Sequence, residues 1–177
     1  MSQDRPLPRL LLALPIGLGG ALAALFWFGL SYDQNQYASR LINKPLPFFS
    51  LQTVDMNNTI INSTELKGPA IINIWATWCT ACVAEHPRLK QLSQDKKLTI
   101  YGINYQDEKK RASEFLETQG NPFKINLFDG IASTAMSLDV LGLPQTYAID
   151  NNGIIRFRHI GELNDTVIDA LKNAIAQ

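Results

Sequence analysis

Ala70-Ile71-Ile72-Asn73-Ile74-Trp75-Ala76-Thr77-Trp78-Cys79-Thr80-Ala81-Cys82 decides how this chain is read. Its first half is an apolar, Ile-rich run of strand length. Its second half carries the only two cysteines of the protein, spaced Cys-x-x-Cys. A helix-like stretch from Val83 to Ser93 follows. The dithiol therefore sits where a strand turns into a helix. A helix N-terminus carries partial positive charge, which favours thiolate over thiol. The thiolate is the species that attacks a disulfide. Two cysteines this close pass between dithiol and disulfide with little other movement.

Composition narrows the alternatives. The chain has 177 residues, with 16 basic and 16 acidic side chains and no net charge. That length suits one domain plus extras. Zero net charge argues against a dedicated nucleic-acid binder. Two cysteines cannot build a disulfide scaffold, so they point to chemistry rather than stapling.

Apolar residues are concentrated at the N-terminus. Leu10 to Leu30 contains no charged residue. At about 1.5 Å per residue it is just long enough for a ~30 Å bilayer core. Arg5 and Arg9 precede it and Asp33 follows, so the positive-inside rule keeps residues 1–9 cytoplasmic and exports the rest. Ala21-Leu22-Ala23 resembles a cleavage site, but the apolar run continues through Phe28, and an uncleaved signal anchor over 10–30 is the reading adopted. Cleavage there, or a buried core helix, are its rivals. Export implies an oxidising compartment, where a reducing dithiol needs electrons from elsewhere.

Residues 31–47 read as a polar linker ending in Lys44-Pro45-Leu46-Pro47. The domain then runs from 48 to 177. Phe48–Thr53 and Thr59–Asn62 predict a hairpin around Asp55-Met56-Asn57-Asn58, with a short helix at Ser63 stopped by Gly68-Pro69. Strands are expected at 70–75, 98–105, 125–128, 146–149 and 154–159. Helices are expected at 79–94, 108–119, 132–138 and 165–176, the last capped by Asn164 or Asp165. This α/β alternation, closed by a hairpin and a helix, predicts a mixed sheet with helices on both faces.

Cys79, at the corner, is the expected nucleophile and Cys82 the resolving thiol; Trp78, Thr80 and Ala81 surround them. Leu143-Pro144-Gln145-Thr146 places a proline at a strand start, where a cis bond is possible. Beside the dithiol it would offer a backbone edge to an extended substrate. Glu85 lies one helical turn after Cys82 and can raise the thiol pKa or relay protons. Cys79, Cys82 and His86 share a helix, which opens a metal-ligand reading. Zinc usually takes four ligands, however, and His159 is the only other histidine, so a structural or surface His86 is favoured and no metal or other cofactor is expected.

The chain resembles the membrane-anchored, thioredoxin-like thiol:disulfide interchange proteins of cytochrome c maturation, the CcmG or DsbE type. The matching residues are Asn73 to Cys79, Ala84-Glu85-His86, Gly102-Ile103-Asn104-Tyr105, Gly120 to Phe123, Leu127 to Gly130, Gly142-Leu143-Pro144 and Ile149 to Arg156. The resemblance implies a thioredoxin-like fold with a central helix–strand insertion, here Glu108 to Phe128. It implies a redox disulfide Cys79–Cys82, a cis-proline at Pro144 and an acidic partner at Glu85. It also implies a bacterial inner-membrane protein, single-pass, with its catalytic domain in the periplasm. Such a protein takes electrons from a membrane thiol-reductant transporter and passes them to apocytochrome c or its thiol chaperone. Thr80-Ala81 departs from the family, which commonly has proline there. Gln145 departs too, standing where glutamate is common, so a neutral groove favouring thiolate at Cys79 is expected. A general disulfide oxidant or reductase of the same fold, and a metal- or haem-handling adapter, are the competing readings.

Overall fold

The computed structural model describes residues 9–30, 39–55 and 57–175. The chain divides into two units, one up to residue 36 and one from residue 37 onward. The first holds a single helix, α1 (Arg9–Leu30), with Pro15 inside it. Leu18, Leu22, Leu25, Phe26, Trp27 and Phe28 are exposed on it. Among the described residues no helix is long and apolar enough to cross a membrane. Of the side chains at 9–14, 16 and 30 nothing is described, so the span expected at 10–30 is not shown, although the run is helical throughout.

The second unit is built on one seven-stranded sheet. Its strands are β1 (Ser50–Thr53), β2 (Ile60–Asn62), β3 (Ala70–Trp75), β4 (Thr99–Tyr105), β5 (Ile125–Asp129), β6 (Gln145–Ile149) and β7 (Ile155–Ile160). Its helices are α2 (Thr80–Leu92), α3 (Lys109–Gln119) and α4 (Asp165–Ile175). The strand order is β2-β1-β5-β4-β3-β6-β7. β3, β4 and β5 are parallel neighbours and all other pairings are antiparallel. All six residues of β3 are buried, which is why its sequence is continuously apolar rather than alternating.

The expected hairpin forms as β1–β2, followed by a 3₁₀ turn at Ser63–Glu65. The expected insertion forms as α3 and β5, and β5 docks between β4 and β1. Asn164 is the cap of α4: its Oδ1 accepts the Val167 N–H at 2.9 Å.

Two apolar layers flank the sheet. Ile71, Trp75, Ile100 and Ala148 bury one face against Leu89 and Leu92 of α2, Ala112 and Leu116 of α3, and Leu171 and Ala174 of α4. Ile72, Ile74, Tyr101, Ile103 and Tyr147 bury the other against Leu66, Leu138 and the segment around Leu41, Ile42 and Leu46. The expectation of helices on both faces is corrected here, because α2, α3 and α4 all pack on one. The helix expected at 132–138 is a series of turns. The Asp129 carboxylate accepts the N–H and hydroxyl groups of both Ser133 and Thr134, drawing them away from helical pairing. Positive φ at Ala132 and Asp139 bounds the segment.

The last part of the expected linker is bonded to the domain. Asn43 N–H donates to the Ile155 carbonyl, and Leu46 N–H to that of Gly153. Residues 31–38 of that linker lie outside the described residues.

Candidate active site

The C-terminal ends of β3, β4 and β5 lie at one edge of the sheet, and the dithiol is mounted there. β3 ends at Trp75, the chain turns with Cys79 N–H donating to the Ala76 carbonyl, and Cys79 becomes the N-cap of α2. Cys79 and Cys82 form a disulfide, with Cα atoms 5.2 Å apart. Cys79 Sγ accepts the Cys82 N–H at 3.1 Å. The sulfur thus occupies the position where a helix N-terminus stabilises negative charge. Cys79 is 7% exposed and Cys82 4%. Trp78 and Thr80 are exposed beside them and Ala81 is half-buried.

The antiparallel register pairs Ile74 with Gln145, which brings Pro144 level with the end of β3. The Leu143–Pro144 bond is cis. Leu143 packs against both apolar layers, and the Pro144 carbonyl accepts the Gly161 N–H. Among the described residues the Leu143 peptide groups take no hydrogen bond.

Gln145 does not join this groove. It is fully buried and shares a face with Tyr147, opposite to the cysteines. Its Oε1 accepts the Leu141 N–H at 3.1 Å, and its Nε2 donates to the Asp139 carbonyl at 3.2 Å and to Tyr147 Oη at 2.6 Å. Gln145 therefore braces the turn before Pro144, and the expected neutralising effect in the groove has no structural basis. Strand alternation makes the reason plain: Thr146, not Gln145, points toward the dithiol side.

Glu85 is buried beneath α2. Oε1 accepts from Asn73 Nδ2 at 2.8 Å and Oε2 from the Leu163 N–H at 3.1 Å. Burial pushes its carboxyl from the ordinary 4.5 to about 7, against the lowering effect of those two hydrogen bonds. Asn73 Nδ2 also donates to Thr146 Oγ1 at 3.1 Å, while its Oδ1 has no partner among the described residues. Sequence reasoning missed Asn73. The signal was present, since a polar residue inside an otherwise apolar buried strand needs a partner.

His86 points elsewhere. Its Nε2 meets the Gly120 carbonyl at 2.8 Å and its ring stands edge-on to Phe115. Burial lowers its pKa below the usual 6.5, so it is neutral at pH 7. With Lys90, which donates to the Gln119 carbonyl, it serves the C-terminus of α3. Among the described residues no cluster of three or more His, Cys, Asp or Glu side chains is arranged to hold a metal ion.

The redoxin family pattern matches residues 41–175. A DsbE thiol:disulfide interchange protein of Escherichia coli strain K12 is 39% identical over 166 residues, covering 90% of this chain and 89% of that protein. The chain belongs to the DsbE family. A DsbE protein of Pseudomonas fluorescens biotype C is 38% identical over 160 residues, with the same coverage of both chains. Among solved structures, a thio-disulfide isomerase from Thermus thermophilus superposes with a TM-score of 0.62 at 27% identity, covering 75% of this chain and 96% of that one. A secreted thiol-disulfide isomerase from Corynebacterium glutamicum gives 0.67 at 20% identity, with 83% and 99% covered. The fold is thioredoxin-like, and this DsbE-family chain is a thiol–disulfide oxidoreductase that holds a Cys79–Cys82 disulfide.

Proposed function

We propose that this protein is a single-pass inner-membrane reductant whose redox domain works in the bacterial periplasm, reducing apocytochrome c or its thiol chaperone during cytochrome c maturation. The observation that carries the reducing direction is the buried Glu85 carboxyl one turn beyond Cys82. An ionised carboxylate there disfavours a thiolate nearby. Destabilising the reduced form makes the couple a better electron donor, the reverse of a strong oxidant whose reduced form is stabilised.

The electrons pass through the sulfurs alone. Cys79 thiolate attacks one sulfur of the client disulfide, forming a mixed disulfide and releasing the other client sulfur as thiolate. Cys82 thiolate then attacks Cys79 Sγ, freeing the second client thiol and closing Cys79–Cys82. Two electrons pass to the client, and the oxidised pair in the structure corresponds to the end of that cycle. Glu85 accepts and returns a proton as the Cys82 thiol ionises. The Leu143 peptide, unpaired among the described residues and followed by Pro144, supports pairing with an extended client strand, with Trp78, Thr80 and Ala81 at its border. No cofactor enters the cycle. A membrane thiol-reductant transporter restores the dithiol.

The anchor rests on the uncharged run Leu10–Leu30, preceded by Arg5 and Arg9 and helical over α1. Trapping tests the client: Cys82→Ser expressed in cells is expected to retain apocytochrome c or its thiol chaperone in mixed disulfides. A broad set of unrelated clients would overturn the specific role in favour of general exchange.

A further inference from the structure

β3 ends at Trp75, so Ala76, Thr77 and Trp78 must be held by something other than the sheet before Cys79 caps α2. Asp107 does this. Its Oδ2 accepts the Thr77 N–H at 2.6 Å and its Oδ1 accepts the Thr77 hydroxyl at 2.8 Å. The same carboxylate accepts from Asn104 Nδ2 at 3.0 Å and from the Glu108 N–H at 2.8 Å. One residue away, the Gln106 carbonyl accepts the Trp78 indole N–H at 2.8 Å. Burial alone would raise the Asp107 carboxyl, but these donors hold it below the usual range, so it is ionised and its hydrogen bonds are charge-assisted. A short loop between β4 and α3 thereby grips both residues that precede the nucleophile.

The grip matters most when the disulfide is open. In the oxidised protein the S–S bond itself fixes Cys79. After reduction, Cys79 Sγ stays at the N-terminus of α2 only if the loop leading to it is held. We infer that Asp107 is a positioning residue, keeping the reduced Cys79 sulfur at the α2 N-terminus so that its thiolate persists for attack. The inference rests on thiol–disulfide exchange at this pair and holds for either direction of electron flow.

Positioning and bare charge predict opposite signs. A carboxylate acting only by its charge disfavours the thiolate, so removing it would lower the Cys79 pKa. A carboxylate acting through position favours the thiolate, so removing it raises that pKa. Glu85, the buried carboxyl on α2, is left intact in every variant and contributes equally to each.

The test uses the full chain, reduced, as wild type, Asp107→Asn and Thr77→Val. The Cys79 pKa is read from the pH dependence of iodoacetamide alkylation. The expected result for Asp107→Asn is about tenfold less thiolate at pH 7 and, because the remaining thiolate is the more nucleophilic, a loss of about three- to fourfold in kcat/KM for disulfide exchange. Thr77→Val, which keeps the carboxylate and removes one donor, shifts both in the same direction by less, and the double variant is not additive. A fall in the Cys79 pKa, or no change beside a lowered melting temperature, would overturn the inference and leave a charge or scaffold role. Retained exchange activity in Cys79→Ser would instead sink the exchange reading itself, so the two failures are distinguishable.

Discussion

Glu85 concentrates the energetics of the site at the scale of one residue. Its carboxyl titrates at about 7 in the folded protein against an ordinary 4.5. Between those values the folded protein binds more protons than the unfolded chain, so stability falls as pH rises through the window and levels off above it. At about 1.4 kcal/mol per pH unit, the loss amounts to roughly 3 kcal/mol. Urea unfolding of the oxidised protein at pH 5 and pH 8 is expected to show that decline, and Glu85→Gln to abolish it. In the proposed role of Glu85 the same substitution removes a charge that opposes the thiolate, and the reduction potential is then expected to become less negative, by ~30 mV or more. The dithiol and Glu85 were legible in the sequence because both lie on one short segment with helical spacing. Asn73, which holds Glu85 Oε1, was half-legible as a polar break in an apolar run. Asp107 was not, because only the fold brings it to Thr77 across thirty positions of chain.

At the scale of elements, the strands adjoining the dithiol depend on small residues as much as on apolar ones. Gly102 of β4 pairs with Asn73 and Asn126, its neighbours on β3 and β5. A Cβ there would lie 2.1 Å from Asn126 Oδ1 and 2.9 Å from Phe123 Cγ. Asn126 Oδ1 also receives the Trp75 indole N–H at 3.0 Å. Gly102→Ala is therefore expected to displace Asn126, break that bond and cost about 1–3 kcal/mol in chemical denaturation. Asn164→Ala removes the α4 cap and is expected to cost about 1 kcal/mol, without altering exchange activity. The elements near Cys79 were readable because periodicity, glycine and proline marked their limits. The segment at 132–138 was misread because its Ser133 and Thr134 bond to Asp129 rather than to a helical turn, and spacing alone does not distinguish the two. The side on which Gln145 falls follows from strand register, which a single sequence does not supply.

At the scale of the whole molecule, the unit from residue 37 onward contains the complete sheet, both apolar layers and the dithiol. A chain lacking residues 1–36 is expected to fold, with unchanged circular dichroism and unchanged exchange kinetics in solution. The full chain is expected to remain with membranes after carbonate extraction and the shortened one to be released; loss of folding in the short form would contradict this division. The α/β class and the hairpin were visible from the order of elements, and the insertion from the family resemblance. The gathering of all three domain helices on one face was not, since it depends on which face each connection crosses. The central claim is that this couple is an electron donor outside the cytosol, and its reduction potential tests that most directly. Equilibration of Cys79–Cys82 with a glutathione or thioredoxin buffer is predicted to give a value near or below about −270 mV, and a value near about −120 mV, that of a strong oxidant, would contradict the account.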